Sequence, residues 1–382
     1  MSVFDELREH AALEFAAARA LPLRAYESEA LAARETADLF ATDWLCVGRT
    51  ADVARIGDFI TAEIPWTDGS PRSLIILRSD DGEIRVFDNV CVHRGAELLT
   101  GCGNEVRITC PYHAWVYRLD GSLVGAPYMA DSTEPDGHPF DPSRHHLVGI
   151  RAEVWEGFVF VNQDPDAPPL APSLVGLHDV VCRFAMADYV PVHEQVDVWE
   201  TNWKLLVENF MDAYHVFKVH RNSFGAMGDS TADTVMFPGT DRWAHHRVVE
   251  AGAADMAHPS NEALQGPWRT TTVLAAVFPG FVVQLQPDWL WFLRITPIGT
   301  GRVRIAWQVA IAPEMLAGQA DPGAYVDEVM ALIHLVNSED RPVVEGLRRG
   351  MHRPQFDRAP LSYLERNVYD FDRYISCRLG SN

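Results

Sequence analysis

Two groups of residues in this 382-residue chain have the types and spacing to bind metal. The first is Cys91-Val92-His93 and Cys110-Pro111-Tyr112-His113, two short pairs separated by sixteen residues, each pairing one thiol with one imidazole. Each pair falls at what reads as the tip of a β-hairpin, so two soft sulfurs and two imidazoles can converge on one point. Such a donor set suits tetrahedral zinc, or a [2Fe-2S] cluster in which two Cys hold one iron and two His hold the other. A zinc finger takes both Cys from one hairpin and both His from a following helix. Here each loop carries one of each and can give one ligand to each iron, which favours the iron cluster.

The second group lies in Glu208-Asn209-Phe210-Met211-Asp212-Ala213-Tyr214-His215, with His220 five residues on. A cluster alone moves one electron, and the long remainder of the chain must do something with it. Two His with acids nearby suggest non-haem Fe(II). On an ideal helix, at about 100° per residue, His215 and His220 point about 140° apart. If both hold one ion, the helix must distort or end between them. By spacing alone the third ligand would be Asp212, which shares a helix face with His215 at i, i+3. The other thiols, Cys46, Cys102, Cys182 and Cys377, have no partner at ligand spacing and read as small buried residues. His145-His146 and His245-His246 are adjacent pairs, whose side chains point to opposite faces of a strand and do not converge.

The elements that must position these residues follow from periodicity. Ser2 to Ala20 and Ser28 to Phe40 read as helices behind Ser N-caps and form an N-terminal arm. From Cys46 the pattern turns to short β-rich runs, Phe59 to Ile64, Leu74 to Leu77 and Ile84 to Val90, with Asp81-Gly82 as a hairpin turn. The rhythm continues through Trp115 to Tyr117 and Val154 to Val161. Four prolines in the ten residues from Asp164 to Ser173 then mark a boundary. Beyond it come a strand at Gln195 to Trp199, a helix opening near Asn202, and a loose region over residues 223–266 that reads as functional loop. Alternating strands follow at Thr272 to Phe278, Phe281 to Gln286, Leu290 to Ile295 and Val303 to Ile311, then helices across Tyr325 to Arg349. The expected class is α+β with antiparallel sheets.

Composition narrows the function. The 32 basic against 53 acidic residues give a net charge of −21, which argues against nucleic acid. The longest charge-free stretch, Thr270 to Pro287, is divided by Pro279-Gly280 and reads as two strands, so no membrane span is expected. Met1 to Arg8 carries acids and no apolar run towards a cleavage site, so the expected address is cytoplasmic. Six cysteines are too few for a disulfide scaffold in a chain this long. No G-x-G-x-x-G opens a βαβ unit, so a nicotinamide or flavin site is not evident.

Cys91-x-His93-Arg94-Gly95 with Cys110-Pro111-x-His113-x-Trp115 resembles the Rieske [2Fe-2S] signature. Asn209-x-x-Asp212-x-x-His215-x-x-x-x-His220 resembles the iron motif of Rieske non-haem iron oxygenases, the terminal components also called aromatic ring-hydroxylating dioxygenase alpha subunits. The resemblance covers essentially the whole chain. It implies an arm over 1–45 packing on the catalytic domain, a small antiparallel-β Rieske domain over 46–165, and a helix-grip, lipid-transfer-like catalytic domain over 166–382 with a curved antiparallel sheet and long helices. It implies that Cys91, His93, Cys110 and His113 hold the cluster. The mononuclear iron would take His215, His220 and a carboxylate from a late helix. That segment is Val336-Asn337-Ser338-Glu339-Asp340, with Asp340 as the ligand and Glu339 as its nearest rival. Without the resemblance, Asp340 reads as an acid near a helix N-terminus.

In this family the Asp at position 212 is not a ligand. It bridges an iron-binding His to a cluster His of the neighbouring subunit, so the resemblance implies a head-to-tail homotrimer with His113 of one chain near Asp212 of the next. It implies O2 as co-substrate and a reductase or ferredoxin as electron donor, with NAD(P)H involved only through that partner. Candidate pocket aromatics are Phe224, Trp243, Trp268, Phe281, Trp289 and Trp291; these suit an arene by stacking or a quaternary ammonium by cation–π contact. Choline-, betaine- and carnitine-type monooxygenases often carry Glu where this chain has Asp212. The expected reaction is therefore hydroxylation of a small aromatic compound, with hydroxylation or N-dealkylation of a quaternary amine as the alternative. An electron carrier or ligand-binding module with a vestigial iron site is the reading from outside enzymology.

Overall fold

The computed structural model describes residues 1–129, 140–227, 231–249, 254–351 and 358–380. The chain forms two compact units: residues 41–66 with 70–168, and residues 1–40 with 67–69 and 169–382.

Among the described residues the smaller unit has ten short strands: β1 Leu45–Arg49, β2 Asp58–Pro65, β3 Pro71–Arg78, β4 Ile84–Asp88, β5 Cys102–Asn104, β6 Ile108–Thr109, β7 Val116–Tyr117, β8 Leu123–Gly125, β9 Gly149–Trp155 and β10 Phe158–Asn162. Seven pair in the order β1-β10-β9-β4-β3-β2-β5, and β6-β7-β8 form a small second sheet. The Asp81-Gly82 turn joins β3 to β4, with Gly82 at φ +85°, a conformation that costs glycine nothing. Ile75, Leu77, Phe87, Ile108 and Trp115 bury one core, and Cys91 and Cys110 lie inside it.

In the larger unit, β11 Val190–Trp199, β12 Thr234–Met236, β13 Trp243–Val249, β14 Thr271–Val277, β15 Phe281–Leu285, β16 Trp289–Ile298 and β17 Arg302–Ile311 form one curled antiparallel sheet, ordered β11-β17-β16-β15-β14-β13-β12. The helices that matter for the site are α1 Val3–Ala11, α2 Glu29–Glu35, α3 Trp203–Met211, α4 Val216–Val219, α5 Pro322–Gly350 and α6 Arg366–Leu379. Asn202 caps α3 by accepting from the Lys204 N–H at 3.0 Å, and Asp321 caps α5 by accepting from Ala324 N–H at 3.1 Å.

Several expectations are corrected. The first helix stops at Ala11 rather than Ala20, because a distant residue takes over its end. The Tyr369 hydroxyl donates to Leu13 O at 2.9 Å, and its ring packs on Phe15 with centroids 5.4 Å apart. The second arm helix is regular only to Glu35, where a wider turn over Thr36–Phe40 begins. There the buried Glu35 carboxylate meets both Lys204 Nζ and Trp203 Nε1, a tertiary ion pair with no local signature. Residues 223–266 are not one loop: β12 and β13 run through them, although 228–230 and 250–253 lie outside the described residues. The Trp243-Ala244-His245-His246 half of β13 is buried on both faces, which erased the alternation. Of the four unassigned cysteines only Cys46 is buried; Cys102 sits on the edge strand β5, and Cys182 and Cys377 are exposed as well. No helix among the described residues is long and apolar enough to cross a membrane.

Candidate metal centres and the substrate pocket

The two Cys/His loops share one backbone framework. In the first, Cys91 N–H donates to Ala96 O at 2.8 Å and Gly95 N–H to Cys91 O at 2.9 Å. In the second, Cys110 N–H donates to Trp115 O at 2.8 Å and Ala114 N–H to Cys110 O at 3.1 Å. The left-handed position is Gly95 in one loop, at φ +76°, and Ala114 in the other, at φ +53°. These turns hold the thiols inward, where Cys91 and Cys110 are buried, and the imidazoles outward, where His113 is exposed. The rings of His93 and His113 meet edge to face with centroids 4.8 Å apart, and His93 stacks on Trp115 at 4.7 Å.

This arrangement fits a diiron cluster with a sulfur end and an imidazole end. His93 Nδ1 is buried without a hydrogen-bond partner, as expected of a nitrogen kept for a metal. The Tyr117 hydroxyl lies 3.2 Å from Cys91 Sγ. Burial, together with that sulfur, keeps the phenol protonated and therefore a donor. Hydrogen bonds to cluster sulfurs stabilise the reduced, more negative state. Tyr117→Phe should lower the reduction potential by about 60 mV, the one-electron equivalent of about 1.4 kcal/mol for one charge-assisted bond. Protein-film voltammetry measures this, and an unchanged potential would rule out the donor role.

In the larger unit the structure resolves the geometric conflict between His215 and His220. Helix α3 ends at Met211, and Asp212 is extended at φ −85°, ψ 109°. The chain restarts as the single turn α4, with His215 at its N-cap and His220 at its C-cap. Their Nε2 atoms approach to 3.1 Å, and Asp340 Oδ1 lies 3.5 Å from the first and 3.3 Å from the second. Donors about 2.1 Å from one ion and at right angles to one another lie about 3 Å apart, so three atoms at these spacings describe one face of an octahedron. Asp340 sits well inside α5, not at a helix N-terminus as the simpler reading had it. Two residues on, Pro342 interrupts the ladder and leaves Ser338 O without its helical donor.

The electrostatics call for a cation. Asp340 Oδ1 is buried without a hydrogen-bond donor. Burial disfavours a charged His215, but the carboxylates of Asp212 and Asp340 outweigh it and push its pKa up to about 10. Burial likewise opposes ionised Asp340, yet the two imidazoles hold its pKa well below the usual carboxylate range. Positive charge is strongly favoured among the three donors, and a divalent ion supplies more of it than one proton does.

Each imidazole is also gripped from behind. His215 Nδ1 faces Asp212 Oδ2 at 3.3 Å, and His220 Nδ1 faces Glu339 Oε2 at 3.1 Å. Glu339, the expected rival for the ligand role, instead accepts from Ser223 Oγ at 2.6 Å and Asn222 N–H at 3.3 Å and fixes the ring. Carboxylates behind metal-binding His set tautomer and orientation. Glu339→Gln should weaken iron binding about 10–100-fold. Chelator competition reads that loss, and unaltered affinity would show that the carboxylate does not orient His220.

His215, His220 and Asp340 open onto a cavity of about 540 Å³. Its walls include Phe210, Trp289, Trp291 and Tyr325, and it contains the carboxylates of Asp288 and Glu328; no Lys or Arg lines it among the described residues.

Against known families, residues 186–381 match the ring hydroxylating alpha subunit (catalytic domain) model, and residues 43–136 match the Rieske [2Fe-2S] domain. The chain belongs to the Rieske oxygenase alpha subunits. It is 29% identical over 358 residues to the carnitine monooxygenase oxygenase subunit of Escherichia coli (strain K12), covering 87% of this chain and 84% of that one. To the chloroplastic choline monooxygenase of Beta vulgaris it is 25% identical over 337 residues, covering 87% and 70%. A structure of naphthalene 1,2-dioxygenase from Rhodococcus sp. bound to indole shares the fold at TM-score 0.80 and 19% identity, covering 99% of this chain and 98% of that one. A quaternary ammonium Rieske monooxygenase in complex with L-carnitine shares it at 0.78 and 23%, covering 94% and 96%.

As a Rieske oxygenase the chain is an oxidoreductase of the kind that uses a [2Fe-2S] cluster, a mononuclear iron and O2, and receives electrons from a partner protein. Of the six aromatics expected in its pocket, Phe224, Trp289 and Trp291 line it, whereas Trp243, Trp268 and Phe281 do not. Trp268 instead lies under the Arg183 guanidinium, 3.9 Å from its ring centre. Phe210, Tyr325, Asp288 and Glu328 were missed; the first shares the iron-motif helix and could have been found there. His245 and His246 face opposite ways along β13, the first stacked on Phe237 and the second in the pocket wall. Burial pushes the pKa of His246 down to about 4, so it is a neutral wall.

Proposed function

We propose that the chain is the terminal oxygenase of a multicomponent system that hydroxylates a carbon attached to the quaternary nitrogen of an alkylammonium substrate. The carrying observation is the cavity: the His215, His220 and Asp340 donors open onto aromatic walls and the Asp288 and Glu328 carboxylates, with no Lys or Arg lining it among the described residues. Aromatic faces and carboxylates both stabilise a cation, whereas an arene gains nothing from the carboxylates. The carnitine and choline monooxygenase relatives support the same reading. The expected aromatic substrate gives way to it. That expectation leaned on Asp rather than Glu at position 212, and one methylene in a residue behind His215 says little about what fills the pocket.

In this reading Cys91, His93, Cys110 and His113 hold the cluster, and His215, His220 and Asp340 hold Fe(II). Iron held there supplies O2 reduction and oxygen insertion. The protein orients both imidazoles through Asp212 and Glu339 and excludes water with Phe210, Trp289 and Trp291. The balance is one C–H bond, O2, two electrons and two protons giving one C–OH and one water. The carbinol on nitrogen then splits its C–N bond to a tertiary amine, an aldehyde and a proton. The electrons come from a reductase or ferredoxin. The assembly is a homotrimer in which His113 of one chain meets Asp212 of the next, a reading supported by the outward-facing His113.

Turnover with a panel of trimethylammonium compounds and small arenes, scored by amine and aldehyde release against arene hydroxylation, tests the assignment. Product from the arenes and none from the ammonium compounds would overturn it.

A further inference from the structure

The pocket is elongated. Tyr325 and Asp340 both line it from α5, and the fifteen residue steps from one to the other span about 22 Å along the helix axis at about 1.5 Å per residue. At the Tyr325 end stands Asp288, in the turn between β15 and β16. Its Oδ2 accepts from the Tyr325 hydroxyl at 2.8 Å, while its Oδ1 is buried with no hydrogen-bond partner. Among the described residues no Lys or Arg pairs with it. Burial raises its pKa to about 6 against the opposing pull of the Tyr325 hydroxyl and its neighbouring backbone N–H groups. Glu328, one helical turn from Tyr325, adds a second carboxylate at the exposed edge of the same end.

A role for Asp288 in the turn alone does not account for this. Its backbone carbonyl accepts from Ala312 N–H at 2.8 Å whatever its side chain. A buried carboxylate whose one side-chain donor is the Tyr325 hydroxyl, with no Lys or Arg counter-ion among the described residues, is costly, and the pocket is where a further donor and a positive charge can arrive. The quaternary nitrogen of the reading above can supply the charge but not the donor, because it has no N–H. A molecule small enough to occupy only the iron end does not reach Asp288.

We propose that Asp288, with Tyr325 and Glu328, forms a second cation subsite that binds a protonated amine at the far end of the substrate, opposite the nitrogen whose neighbouring carbon is oxidised. The proposal rests on the quaternary ammonium reading and deepens it. The substrate is then a two-ended cation: one end donates no hydrogen bond and sits against aromatic rings near the iron donors, and the other donates N–H to the Asp288 carboxylate. A tail ending in a carboxylate is repelled at the same place, with no basic side chain there among the described residues to offset it.

The test uses three trimethylammonium compounds of equal chain length, ending in methyl, ammonium or carboxylate. Each is titrated calorimetrically into the anaerobic holoenzyme at about pH 8, where Asp288 is ionised, and each is assayed for oxidation. The ammonium tail should bind at least about tenfold more tightly than the methyl tail, the worth of one charge-assisted bond, and the carboxylate tail more weakly than either. In Asp288→Asn the ammonium-to-methyl ratio should fall to within about twofold. Equal binding of the ammonium and methyl tails overturns the proposal, as does a ratio that survives in Asp288→Asn. If that variant does not fold, the ranking of the three tails on the wild-type protein decides. Failure of every trimethylammonium compound to be oxidised, with arenes oxidised instead, overturns the function reading.

Discussion

Asp340→Ala is expected to strip the mononuclear iron from the protein and leave the absorbance of the [2Fe-2S] cluster intact. Asp340 Oδ1 lies 3.3–3.5 Å from both Nε2 atoms, whereas the four cluster residues come from two hairpin loops of the other unit. Loss of a residue that merely orients a ligand costs about 10–100-fold in metal affinity, so loss of a donor should exceed about 100-fold. It also leaves two imidazoles with no carboxylate facing their Nε2 atoms. Elemental iron falls from three per chain towards two, by the arithmetic of a diiron cluster plus one ion, and turnover drops to background. Elemental analysis with the visible spectrum checks both. Unchanged iron content, or loss of both signals from a folded chain, would refute the ligand assignment.

The second large effect is expected at Asp212. Asp212→Asn keeps the shape of the side chain and removes its charge, so both metals should stay while steady-state turnover falls about 100-fold, the upper end for residues behind metal ligands. The distinguishing readout is a single turnover: cluster oxidation by the iron site, followed optically after mixing with O2 and substrate, should slow by the same factor. Asp212→Glu should recover part of the rate, because the carboxylate is restored one methylene further out. A merely structural role for Asp212 predicts a lower Tm with a normal single-turnover rate, and that result would end the bridging proposal.

How much of this could be read in the sequence depends on how far apart the partners lie along the chain. The Cys/His loops were legible because a tight turn fixes its donors within five residues. His215 and His220 were legible as a pair, and so was the requirement that the helix break between them; the break itself, with Asp212 extended, is a backbone event without a proline or glycine to announce it. The proposed ligand role of Asp340 could not come from spacing, which favoured Asp212 by local geometry. Its partners are more than a hundred residues away, and only the resemblance supplied it. Glu339 behind His220, the Tyr369 contact that ends the first helix, and the Asp288–Tyr325 pair were invisible for the same reason: each joins elements that meet only after folding. The strands of the larger sheet were found to within about five residues, except the short β12 and β13, which fall in the region read as loop; half of β13 is buried on both faces and carries no alternation.

The distance from His220 to Asp340 has a further meaning. An ion shared by these two residues is a clasp that closes a loop of 120 residues, the difference of their numbers, and loop closure of that length removes considerable freedom from the unfolded chain. Iron held there would contribute to the durability of the larger unit as well as to its chemistry. A chain that has failed to bring α5 against the turn at α4 presents no complete face of donors, so loading with metal at this site would also be a record that this part of the protein has been built correctly.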